Sequence, residues 1–178
     1  MIRGGLNEVK DYPLSDGDIK KILGSDIKIL TYPEVGKLTT ADQLFDPHGR
    51  CIVLFLTQSP TEGHWCCLLN KKKGIEFFDP YGDPPNGVID EIPEQNKEAL
   101  DMNKSYLTNL LKKSGRPVFY NAHAFQQDRQ NINTCGRHCV ARCLYAPYSL
   151  EKYSEIIKKS GMSPDNFVSA LTANMLGN

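Results

Sequence analysis

The spacing of apolar and polar positions changes several times along the chain, and each change predicts an element. Asp16–Leu23 carries Ile19, Ile22 and Leu23 on one helical face, with Ser15 to cap it, Asp18 to complement its N-terminal dipole and Gly24 to stop it. A second short helix starts at Thr40 and carries Leu44 and Phe45, and the turn Asp46–Gly49 follows. Cys51–Leu56 is an unbroken apolar run, as in a strand covered on both faces. His64–Leu69 and Ile75–Phe78 read as further strands joined by the polar hairpin Asn70–Gly74. Asp79–Gly87 is too rich in Pro, Gly, Asp and Asn for regular structure.

Beyond that turn the period becomes helical from about Pro93 to Lys113, with Leu100, Leu107, Leu110 and Leu111 marking its buried side. Pro117–Asn121 is a strand and Gln126–Thr134 a polar loop. Cys135–Leu144 is a helix with Cys139, Val140, Cys143 and Leu144 as its apolar stripe. Ser149 caps a helix to about Lys159, and Asp165–Leu176 forms the last one. Helices at both ends with strands grouped between them make an α+β fold, expected as one domain over residues 1–178.

Composition narrows the function. The 178 residues balance 21 Lys and Arg against 21 Asp and Glu, which gives no bulk electrostatic grip on nucleic acid or anionic membrane. Lys71-Lys72-Lys73 is a solvated hairpin tip, and neither a DNA nor a peptide activator has support in the sequence. No apolar run reaches membrane-spanning length, and the start MIRGGLNEVKDYPL holds no signal-peptide stretch, so a soluble, reduced compartment without a membrane partner is expected. The six cysteines then call for a reason other than disulfides.

Cys135 has one. It opens a helix after a polar loop, where the N-terminal field favours a thiolate, and Gly136 beside it leaves room for a substrate backbone and an accessible N–H. Such a nucleophile needs a base. His48 sits in a solvated turn, His123 has no partner in sequence, and His138 points along the same helix as the thiol. His64 heads a strand and is the best base, with Asp79 at the end of the next strand as its orienter. Hairpin pairing is expected to put those two at opposite tips unless the register shifts or the strand returns parallel.

Gly63-His64-Trp65, then Phe78-Asp79-Pro80-Tyr81-Gly82, then a Gln-rich loop, then Thr134-Cys135-Gly136-Arg137-His138-Cys139 resemble, in that order, the motifs of the adenain-like cysteine proteases. That group includes the adenovirus maturation protease, relatives in large DNA viruses, virophages and Polinton-type elements, and the SUMO-deconjugating proteases. The resemblance implies a papain-like fold of the adenain type, a central mixed sheet flanked by helices, in which His64 and Asp79 do meet. It implies Cys135 as nucleophile, His64 as base, Asp79 as orienter, Trp65 in a narrow substrate slot and a Gln as oxyanion donor. Gln130 lies nearer Cys135 than the family's Gln, and Gln126 and Gln127 lie farther; Gln126, which follows apolar Phe125, is the choice.

The expected activity is a cysteine endopeptidase that cleaves capsid or core precursors beside Gly during virion maturation, acting as a monomer without cofactor or metal. Its expected place is the host cytoplasm or viral factory, and the virion. One alternative is a deconjugase of SUMO- or ubiquitin-like modifiers, although no Gly-Ser-Asp or Gly-Tyr-Asp run precedes the Cys. Another is a peptide-binding module without catalysis. Zinc at Cys135, His138, Cys139 and Cys143 is disfavoured, because one straight helix cannot surround a metal tetrahedrally.

Overall fold

Residues 5–177 are described by a computed structural model, in which short helices alternate with strands. In chain order these are α1 (Leu6–Asp11), α2 (Asp16–Leu23), β1 (Lys28–Thr31), α3 (Tyr32–Val35), a 3-10 turn (Ala41–Leu44), β2 (Arg50–Ser59) and β3 (Glu62–Lys71). There follow β4 (Gly74–Phe78), α4 (Gly87–Glu91), α5 (Glu94–Ala99), α6 (Tyr106–Lys113), β5 (Val118–Tyr120), α7 (Cys135–Leu144), α8 (Leu150–Lys159) and α9 (Pro164–Leu176). The strands form one five-stranded sheet in the order β1-β2-β3-β4-β5. β1 runs parallel to β2 and β5 parallel to β4, while β2, β3 and β4 are antiparallel, so the sheet is mixed and the fold α+β as expected.

Helices cover both faces. On one face Tyr32 packs on Phe55 with ring centroids 4.9 Å apart and Phe55 meets Phe77 edge-on, bringing α3 onto β1 and β2 with α6 against α3. On the other face α7 lies along β3, with α2 and α9 outside it. Arg142 of α7 grips Glu76 of β4 there, at 2.7 and 3.0 Å, and also donates to the carbonyls of Tyr145 and Tyr148 at 2.8 and 2.9 Å. Both partners are buried, so the pair fixes the seat of α7 on the sheet more than it adds stability.

Pattern reading missed the short elements α1, β1, α3 and α4, none long enough to show a period. It also expected one helix from about Pro93 to Lys113, which is two, α5 and α6. Asp101 adopts left-handed backbone at φ 54°, Met102 plugs the core, and the Tyr32 hydroxyl donates to the Lys104 carbonyl at 2.8 Å. A tertiary plug and anchor thus override helical propensity over residues 100–105.

Candidate active site

The hairpin between β3 and β4 builds the first half of the site. Its turn is at Lys72-Lys73, so the start of β3 and the exit of β4 share the open end. The expectation that His64 and Asp79 fall on opposite tips is therefore wrong, and no parallel return is needed. The last paired residues are Cys67 and Phe78, which sets Asp79 opposite Cys66 and puts His64 on the same face as a diagonal neighbour. His64 Nε2 lies 2.6 Å from Asp79 Oδ1.

Asp79 is fully buried and held on every side. Its Oδ1 also accepts the Tyr81 N–H at 3.0 Å and its Oδ2 the Asp83 N–H at 3.3 Å, so the Pro-Gly-rich turn wraps around the carboxylate. Asn121, just beyond β5, accepts the Asp79 N–H at 3.1 Å and donates to the Asp79 carbonyl at 2.6 Å. Parallel pairing of β5 with β4 is what brings Asn121 there. Sequence reasoning gave Asn121 no role; a buried amide closing a strand beside the acid was its only signal. Tyr81 stacks on the His64 ring at 4.9 Å and walls the cleft.

α7 supplies the second half. Cys135 is its first residue, half-buried, and its thiol lies beside the His64 ring on the wall of one cleft. Asp79 occupies Nε2, which leaves Nδ1 for the thiol, and the carboxylate selects the tautomer whose Nδ1 lone pair can take the thiol proton. Burial would pull the His64 pKa down, but Asp79 and Cys135 raise it to about 10. Burial would push the Cys135 thiol up, but His64 and the backbone N–H groups of Trp65 and Gly136 bring it below its ordinary value. The pair is thus biased toward thiolate and imidazolium.

Gln126 completes the cleft. Its backbone N–H donates to the Pro80 carbonyl at 3.0 Å, beside Asp79, and its side chain is buried. Its Nε2 donates to the Ile132 carbonyl at 3.1 Å, which leaves a second amide hydrogen. Gln127 and Gln130 are exposed. An open cleft of about 520 Å³ has His64, Tyr81, Gln126 and Cys135 on its walls, with Val88, Ile92 and Ile132 as apolar lining. A larger groove, about 790 Å³, lies beside Lys71–Lys73 and contains no cysteine.

Two sequence readings change. Gly136 is buried, and a Cβ there would meet Trp65 Cδ1 at 3.1 Å and Leu14 Cβ at 3.2 Å, so its lost side chain serves helix-on-strand packing rather than substrate approach. Trp65 does not line the cleft; it is buried under α7 with Nε1 donating to the Leu14 carbonyl at 3.3 Å. Gly63 carries a constraint that sequence reading did not see. A Cβ on Gly63 would overlap the Phe55 carbonyl oxygen and come within 2.7 Å of the Phe55 carbonyl carbon, next to an irregularity in the β2–β3 pairing. Gly63→Ala is therefore expected to cost about 1–3 kcal/mol in denaturant unfolding and to displace His64. A variant as stable as the parent would contradict that.

Among the described residues, His64, Cys66 and Asp79 form the group whose possible ligand atoms converge, within 4.8 Å. Tetrahedral zinc holds its ligand atoms more than about 3 Å apart, so the 2.6 Å His64–Asp79 contact leaves no room for an ion between them. Cys66 is fully buried, and burial together with the nearby Asp79 charge pushes its thiol well up, so it is the floor of the site and not its nucleophile. The side chains of the zinc alternative turn to different partners: His138 Nε2 contacts Asp165 at 2.9 Å and Cys139 donates to the Trp65 carbonyl at 3.3 Å.

No family model matches the chain. Among solved structures, it is similar to the central domain of the uncharacterized Lpg1148 protein from Legionella pneumophila, at 18% identity, TM-score 0.43, covering 93% of this chain and 99% of that one. It is also similar to the C-terminal Ulp1 protease domain solved in complex with Smt3, the yeast ortholog of SUMO, at 16% identity, TM-score 0.40, covering 96% of this chain and 80% of that one. Among curated proteins it is 34% identical over 175 residues to the uncharacterized protein V9 of Sputnik virophage, covering 94% of this chain and 99% of the relative. With that identity over nearly the full length of both, the chain belongs to the family of the Sputnik virophage protein V9.

Proposed function

We propose that the chain is a cysteine endopeptidase of the adenain type that trims capsid or core precursor proteins during virion maturation. The observation that carries the chemistry is the 2.6 Å bond of His64 to Asp79 with Cys135 beside that histidine on the wall of the same open cleft. His64 takes the thiol proton at Nδ1, and the Cys135 thiolate attacks the scissile carbonyl. Gln126 and backbone N–H groups at the start of α7 receive the oxyanion. His64 then protonates the leaving amine, and water hydrolyses the thioester. The virophage source of the relative favours a viral role.

The test is incubation with virion precursor proteins and, separately, with SUMO-like fusions, using Cys135→Ala as control. The expected result is cleavage of the precursors, beside Gly, by the unaltered chain alone. Cleavage of the fusions only would replace maturation with deconjugation, and cleavage of neither would overturn the endopeptidase reading.

A further inference from the structure

A second buried His–Asp pair stands behind the first, and the chemistry just described does not use it. Asp165, in the first turn of α9, is 2% exposed. Its Oδ1 accepts the Thr134 hydroxyl at 2.6 Å and His138 Nε2 at 2.9 Å, and its Oδ2 accepts the Gln127 N–H at 3.1 Å. Gln127 follows Gln126, and Thr134 precedes Cys135. One carboxylate thus fastens both ends of the loop that separates the oxyanion donor from the nucleophile. The loop is also tied near its far end, where the Asn133 N–H donates to the Lys10 carbonyl at 2.8 Å.

Thr134 is the residue at which an α7 cap belongs. A threonine there ordinarily accepts an N–H from the first turn. Here its side chain makes no cap bond, because the hydroxyl is turned onto Asp165. The Thr134 side chain therefore takes none of the first-turn amides of α7. This arrangement is costly: His138 is fully buried and its Nδ1 has no partner. An apolar contact would join α9 to α7 without that cost; it would not orient Thr134 or Gln127.

We propose that Asp165 is a positioning residue that, through Thr134 and Gln127, sets the distance between Gln126 and Cys135 and so aligns the oxyanion donors with the thiolate. The inference rests on the cysteine-protease reading. It separates two properties of the site. The reactivity of the thiolate is set by His64 and by the Trp65 and Gly136 N–H groups, none of which bonds to Asp165 or Thr134, and should not depend on the clamp. Acyl transfer needs the oxyanion donors and should.

Thr134→Val is isosteric and removes only the hydroxyl; Thr134→Ser keeps it. The readouts are hydrolysis of a Gly-Gly-aminocoumarin peptide and the rate of Cys135 alkylation by iodoacetamide, which builds no oxyanion. Thr134→Val is expected to lower kcat on the order of 10- to 100-fold with KM unchanged. Its alkylation rate should stay within about twofold of the parent, since the thiolate's own partners are untouched. Thr134→Ser should restore kcat. Unchanged kcat in Thr134→Val, a parallel fall of kcat and alkylation, or no rescue by Ser would each overturn the clamp. If the unaltered chain alkylates selectively at Cys135 yet hydrolyses neither this peptide, nor the precursor proteins, nor the SUMO-like fusions, the protease reading itself fails, and the clamp with it.

Discussion

Replacing Cys135 with Ala is expected to abolish peptide hydrolysis, by on the order of 10⁶-fold, whereas Cys66→Ala should leave the rate within a few-fold of the parent. The contrast matters because both sulfurs lie near His64 and Asp79. Cys66 is the one that clusters tightly with them, but it is sealed in the sheet and its thiol is pushed well up by burial and by the Asp79 charge. Cys135 opens on the cleft, and its thiol is brought down by His64 against the effect of burial. Only the thiolate is a nucleophile, so the two sites differ in both access and ionised fraction. Turnover of each variant, with the intact mass of iodoacetamide-treated protein, checks the assignment. Label on Cys66, or full activity in Cys135→Ala, would sink it.

What the sequence made legible was the chemistry carried on regular elements. Cys135 at the first position of a helix, His64 at a strand start and Asp79 at a strand exit were each readable from period and turn signals, and the structure brings all three together. Strand order along the chain does not set which ends meet, so the expected separation of His64 and Asp79 has no basis in the hairpin. Antiparallel pairing joins the start of one strand to the exit of the next, which is where both residues sit. What stayed hidden depends on long-range packing. Asn121 reaches Asp79 only because β5 is parallel to β4, and Asp165 reaches Thr134 from 31 residues away. The break between α5 and α6 follows from Met102 and Tyr32, and no local signal announces such contacts. Gln126 was separable from Gln127 and Gln130 only by its neighbour Phe125; burial against the cleft now distinguishes it.

Asp79→Asn should slow hydrolysis on the order of 10²-fold, and Asp79→Ala closer to the 10⁴-fold of a triad that loses its tautomer control. The difference follows from the hydrogen bonds. Oδ1 accepts both His64 and the Tyr81 N–H, so an Asn keeps its carbonyl oxygen there and turns its NH₂ toward the longer Asp83 contact. The Nδ1 lone pair stays available to Cys135, and what is gone is the negative charge together with the long bond accepted from the Asp83 N–H. That charge is among the groups that lift the His64 pKa to about 10 against burial. The imidazolium is lost as pH rises through that value, and the thiolate is lost as pH falls through the lowered value of Cys135. The parent should therefore be active across a broad plateau between those limits. In Asp79→Asn the alkaline limit moves down, because the imidazolium has lost its anionic partner, and the plateau narrows from that side while the acid limit is not raised. The pH dependence of kcat/KM measures both limbs. An Asn variant whose plateau keeps its width would mean that Asp79 acts through geometry alone, and its loss of rate would then have to come from a displaced His64 ring.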